Sequence, residues 1–213
     1  MKYLLSLLVI ISFLSCADDS TDVVDHSIET PHMEVKKPAT LQYSIISQFP
    51  HDTSAYTQGL EFYNGKLYES TGDFENSSLR ITNVKTGAVL EKHPMGSADV
   101  FGEGITILNK QIFQLTWQSN KVFMYDVNNI NKPVKTFSWP YEGWGITHND
   151  SMLLISDGSA SIYHVSPITF KVQNVITVKD NNGSVQSINE LEYVEGFIYA
   201  NVYQTDRIIK IDP

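Results

Sequence analysis

The chain has little with which to cross-link itself, ligate a transition metal or hold a polyanion. One of its 213 residues is cysteine, Cys16, so no disulfide can form within a single chain. No Cys/His cluster has the spacing of a zinc site. Basic residues are outnumbered, 15 Lys and Arg against 24 Asp and Glu for a formal charge of −9, and they are scattered. That argues against nucleic acid and anionic membrane surfaces as partners. No apolar run reaches the ~20 residues that a membrane-spanning helix needs. No stretch sustains helical periodicity either. What fills the chain instead is short, often alternating apolar runs between turns rich in Gly, Asn and Asp.

The first segment is different. Lys2 precedes a nearly unbroken apolar run to Leu14, followed by Ser15-Cys16. A basic start, a short apolar core and a small residue before the break form an export signal. A lone cysteine directly after it reads as a lipobox, with Phe13 where Leu is usual, and predicts lipidation of Cys16. Cleavage near Ala17 with loss of Cys16 is the alternative. Residues 17–40 are polar and acidic, with Asp18, Asp19, Asp22, Asp25 and Glu29, and read as a tether. The chain thus divides into a signal over 1–16, a tether over 17–40 and a globular part over 41–213. It is expected to be an exported lipoprotein of the cell envelope, touching membrane only through its anchor.

The globular part repeats itself. QGLEFYNGKLYEST from Gln58, EGITILNKQIFQLT from Glu103, EGWGITHNDSMLLIS from Glu142 and NELEYVEGFIYANV from Asn189 each read as polar leader, apolar strand, turn and second strand. The leaders stand 45, 39 and 47 residues apart. That period, with several strands per unit, predicts an all-β fold, a β-propeller. The first strand of each blade lines the axis, so the fold should gather Gln58, Glu103, Glu142 and Asn189 at one channel mouth. Leu41–Phe49 precedes the first repeat as an isolated strand, expected to complete the last blade. Asp212-Pro213 begins a turn after the fourth repeat. The expectation is therefore a fragment lacking its last blade, with a ring closed by four blades as the other option.

Ten blocks in order carry a resemblance: HDTSAYTQGLEF, LYESTG, SSLR, FGEGI, QLTW, VFMYD, EGWGIT, SDGS, NELEY and ANVYQTDRI. They resemble the plant and bacterial glutaminyl-peptide cyclotransferases over Tyr43 to Pro213. The resemblance implies a five-bladed propeller, of which about four blades are present here. It implies conversion of an N-terminal glutaminyl residue to pyroglutamate with loss of ammonia. It also implies a catalytic role for Glu103, substrate binding by Gln58 and Asn189, and pocket walls from Trp117, Trp144 and Phe101. Tyr56 and Tyr203 stand where Phe and Trp are usual in the family, and a pocket lysine of the family falls beyond Pro213.

The residue types suit that chemistry. The α-amine must lose a proton and the departing nitrogen must gain one, which a single carboxyl with a tuned pKa can manage. Amides such as Gln58 and Asn189 donate and accept together. Glu142 is a supporting residue or bonds within its own hairpin. No cofactor is expected, and no metal for catalysis, although a structural calcium on the axis is conceivable. The protein is expected to be a monomer acting on N-terminal glutaminyl peptides. Two other readings stand beside this one: a non-catalytic binding propeller, and a metal-dependent propeller hydrolase using Glu103, Glu142 and Asn189.

Overall fold

The computed structural model describes residues 36–95 and 98–213. Export signal, lipobox and most of the tether lie outside the described residues. Each repeat forms one antiparallel sheet. The first holds β1 (Thr57–Tyr63), β2 (Lys66–Thr71), β3 (Ser78–Thr82) and β4 (Val89–Pro94) in sequence order. The second holds β5 (Gly102–Leu108), β6 (Gln111–Thr116), β7 (Lys121–Asp126) and β8 (Lys135–Ser138). The third holds β9 (Ile146–His148), β10 (Leu153–Ser156), β11 (Ser161–Val165) and β12 (Val172–Thr177). A two-stranded hairpin of β13 (Lys179–Asp180) and β14 (Gly183–Ser184) follows. The fourth sheet has three strands, β15 (Ile188–Val194), β16 (Phe197–Val202) and β17 (Arg207–Ile211).

Turn chemistry sets these hairpins. Asn64-Gly65 and Asn109-Lys110, both with positive φ, join β1 to β2 and β5 to β6. Inner strands β1, β5, β9 and β15 follow one another around the axis, each packed on the next. This is a four-bladed propeller arrangement.

Apolar side chains fill the spaces between blades rather than one central core. Tyr68, Leu79 and Ile81 of the first blade meet Ile105, Ile112 and Tyr125 of the second. Leu115, Val122, Phe137 and Trp139 meet Leu153, Ile155 and Val165 of the third. Leu154 and Ile162 meet Leu191, Ile198 and Ala200 of the fourth. Strand β10 shows the reason: alternate side chains point to opposite sheet faces, so Leu153 and Ile155 pack backward while Leu154 packs forward.

Leu41–Phe49 does not form the expected strand. Its alternation is strand-like, but no ladder pairs with it, and Tyr43 and Ile46 are 90% and 95% exposed. An unpaired strand has no backbone partners to hold it. Leu60 and Phe62 on β1 and Ile208 on β17 are exposed too. A cleft of about 350 Å³ lies between β1 and the β15–β16 pair.

Candidate active site

Gln58, Glu103 and Asn189 each sit on an interruption of their strand. The β1–β2 register slips between Thr57 and Gly59, the β5–β6 register between Gly102 and Ile105, and the β15–β16 register between Ile188 and Leu191. Such bulges re-aim a side chain out of the alternation. They free Gln58, Glu103 and Asn189 to point at a common cavity of about 300 Å³. Its walls are Tyr56, Gln58, Phe101, Glu103, Trp117, Trp144, Asn189 and Tyr203. Every predicted site residue of the globular part except Glu142 is thus on that wall.

Glu142 requires a correction. It does not occupy the third blade's axial position; Trp144 does. The matching unit is Gly-x-Gly-Ile-Thr, which occurs at Gly102–Thr106 and Gly143–Thr147. Pairing confirms the match, since Ile105 opposes Gln114 on β6 and Ile146 opposes Ile155 on β10. The Glu-Gly of Glu142-Gly143 only imitates Glu103-Gly104. The axial series is Gln58, Glu103, Trp144 and Asn189, spaced 45, 41 and 45 residues apart.

Glu142 stands behind the aromatic wall instead. Its Oε2 accepts the indole N–H of Trp117 at 2.8 Å and of Trp144 at 2.9 Å, and Oε1 accepts from Gln118 Nε2 at 3.1 Å. Burial pushes its pKa up, but the bonds from Trp144, Gln118 and Trp117 outweigh that and hold it below the usual carboxylate range. Trp139 is fully buried between blades, its Nε1 donating to the Glu142 carbonyl at 3.1 Å.

Glu103 is 6% exposed and accepts one hydrogen bond, from Gln58 Nε2 to Oε2 at 2.7 Å. Burial raises its pKa to about 8; Gln58 pulls it down, and the charge of Glu142 adds to the rise. Tyr203, burial and Glu103 push the Tyr56 phenol up.

The ring below the mouth explains why the strands can approach so closely. Gly59, Gly104 and Gly145 follow the first three axial residues, and a Cβ on any of them would overlap the next blade. The backbone N–H of Gly104 donates to the Trp144 carbonyl at 2.8 Å across that contact. Ser156 Oγ accepts from the Gly145 N–H at 2.8 Å and donates to the Asn189 carbonyl at 2.7 Å, joining third blade to fourth.

The fourth blade places Glu190 where the others have glycine. Its Oε2 is buried without a hydrogen-bond partner and lies 2.8 Å from where a Gly104 Cβ would be. Glu190 also lines the open cleft between β1 and the β15–β16 pair. Burial, then Glu192, Glu103 and Glu61, raises its pKa well above the usual value, while the Leu60 N–H opposes the rise. Further along β1, Glu61 is lifted to about 7 by burial and by Glu192. Sequence reading missed Glu190. The signal was there: three axial residues are followed by Gly-Leu, Gly-Ile and Gly-Ile, and the fourth by Glu-Leu.

Among the described residues, no group of His, Cys, Asp and Glu converges as a metal site would require. The set Glu103, Glu142 and Asn189 does not form one, because Glu142 is taken up by Trp117, Trp144 and Gln118.

Comparison with known proteins supplies the family and a structural relative. The family described as Glutamine cyclotransferase matches residues 20–213. A protein of Arabidopsis thaliana named glutaminyl-peptide cyclotransferase is 39% identical over 174 residues, 81% of this chain and 54% of its own. The chain therefore spans about half the length of that curated relative. The crystal structure of Myxococcus xanthus glutaminyl cyclase superposes with a TM-score of 0.74 at 32% identity, covering 80% of this chain and 71% of that one. A Bacteroides caccae protein of unknown function shares the fold, with a TM-score of 0.56 at 12% identity over 76% of this chain and 65% of its own.

Proposed function

The chain belongs to the glutamine cyclotransferase family, and from that premise we propose that it cyclises N-terminal glutaminyl residues of peptides to pyroglutamate. The α-amine attacks the side-chain amide carbon, a C–N bond forms, the bond to the amide nitrogen breaks, and ammonia departs. Glu103 carries the proton between the two nitrogens. The observation that supports this most is that the one carboxyl on the cavity wall, Glu103, is 6% exposed and hydrogen-bonded to Gln58, with its pKa raised by burial to about 8. A peptide α-amine ordinarily titrates at about 7.7–8.0. Matched values let the proton move either way at little cost.

The other walls take supporting roles. Gln58 orients Glu103 and, with Asn189, offers amides to the substrate's polar groups. Trp117 and Trp144 keep water out and hold the bent conformer in which amine and amide meet. Phe101, Tyr56 and Tyr203 complete the wall toward the mouth. A purely binding propeller has no use for a buried carboxyl whose pKa is matched to an amine. The enzyme acts as a monomer, exported and held at the cell envelope by a lipid on Cys16. It needs no cofactor.

The test is direct. The full chain, incubated with a glutaminyl tripeptide, should release one ammonia per peptide and leave a pyroglutamyl product by mass. Binding of the peptide with no ammonia above the uncatalysed rate would replace the enzyme by a binding module.

A further inference from the structure

Phe74 is an aromatic side chain that neither the fold nor the proposed chemistry uses. It lies in the 72–77 connection of the first blade and is 45% exposed. Its ring meets Phe101 edge-on at 5.3 Å and Trp117 at 6.3 Å between centroids. Both of those rings line the cavity, whereas Phe74 stands outside it. Gly72 makes this possible: a Cβ there would fall 2.1 Å from the Phe101 ring.

Hydrogen bonds tie the connection down along its length. Asp73 accepts the Glu75 N–H on Oδ1 and the Asn76 amide on Oδ2, each at 3.0 Å. Its carbonyl accepts the Ser77 N–H at 2.9 Å. Ser77 Oγ accepts the Gly102 N–H at 3.0 Å, fastening the loop beside Glu103. At the other end the Gly72 N–H donates to the Tyr56 carbonyl at 2.8 Å. Both walls of the cavity thus hold the loop, and Phe74 is presented with little ordering left to do on binding.

We infer that Phe74 is a specificity residue that receives the side chain of the substrate's second residue and favours glutaminyl peptides in which that residue is apolar. The inference rests on the proposed function above. If the first residue fills the cavity with amine and amide at Glu103, its carbonyl must lead outward, and the next Cα lies 3.8 Å further along the chain. The second side chain then reaches the rim. The rim rings Tyr56 and Tyr203 carry hydroxyls, while Phe74 offers only apolar surface. Covering that surface is favourable in proportion to the area removed from water.

The test compares Gln-Leu-Gly-NH2 with Gln-Gly-Gly-NH2 on the full chain. The ratio of kcat/KM, read by ammonia release, should favour the leucyl peptide by about 5- to 10-fold. In Phe74→Ala it should fall below about 2-fold, and in Phe74→Leu it should lie between. Loss of wall packing slows both peptides and leaves the ratio as the readout. Quenching of tryptophan fluorescence by the two pyroglutamyl products, which do not react, gives the same comparison for Kd. A wild-type ratio near one, or a ratio that survives Phe74→Ala, overturns the inference. Absence of ammonia from either peptide, with Phe74-dependent preference for the leucyl product retained, removes the cyclisation and keeps the rim contact.

Discussion

Replacing Glu103 with glutamine should make the protein more stable at high pH while disabling it. The substitution keeps size and shape, and the new amide oxygen can still accept from Gln58 Nε2, now 2.7 Å from Glu103 Oε2. What disappears is titration. A carboxyl whose folded pKa is raised contributes stability that is fully present below its unfolded pKa. That stability is lost as pH climbs through the folded value. For Glu103 the window runs from the ordinary 4.5 to about 8. A rise of that size corresponds to roughly 5 kcal/mol once the carboxyl is fully ionised, as an upper order of magnitude. Urea unfolding midpoints of wild type and Glu103→Gln should therefore lie close together at pH 4 and separate by pH 9 in favour of the variant. Activity should move the other way. The reactive state carries one proton between amine and carboxyl, so wild-type kcat/KM against pH should be bell-shaped with its maximum near pH 8. The variant should lose at least about 100-fold in kcat with little change in KM. Its profile should retain only the limb of the amine. A variant that keeps near-normal kcat, or that gains nothing in stability at pH 9, would refute Glu103 as the buried, titrating proton carrier.

Three further expectations follow from the same geometry. Glu142→Ala strips the shared acceptor from both indoles and should raise KM about 10-fold with a smaller effect on kcat, checked by steady-state kinetics. Glu190→Gln removes a buried carboxyl with a raised pKa, so by the same sign its thermal midpoint should exceed wild type at pH 8 and approach it at pH 4. Cys16→Ser should move the protein from membrane to soluble fractions; unchanged membrane association would rule out the lipid anchor.

The blades were legible because each advertises itself locally, as two apolar runs around an Asn- or Gly-containing turn. Gln58, Glu103 and Asn189 could be found because the repeats number them alike. Glu142 was misplaced because two residues, Glu-Gly, were matched where the physical constraint lies in the glycines. Those glycines, not the charge, decide which residue can stand at the closest approach of two blades. Leu41–Phe49 was misread for the opposite reason. Alternation states what a strand would bury, but only a partner edge makes it a strand, and the sequence does not state where that edge is.

Phe74 and Glu190 mark the other limit of sequence reading. Phe74 sits in an irregular connection, and its place beside Phe101 depends on Asp73, Ser77 and Gly72 acting together. Glu190 looks like one more polar residue in an alternating strand. Only because the second blade supplies Gly104 does the space exist for its carboxyl. Burial beside Gly102 and Gly104, themselves buried, lifts Glu103 to about 8. The property on which the proposed chemistry turns thus depends on the packing around Glu103, to which its glycine neighbours contribute by having no side chain. It follows that Gly104→Ala, whose Cβ would fall 2.8 Å from the Trp144 carbonyl oxygen and 2.9 Å from the Ile146 nitrogen, should push the two blades apart, read as a lowered thermal midpoint, and let water reach Glu103, read as a downward shift of the pH–rate limb assigned to it.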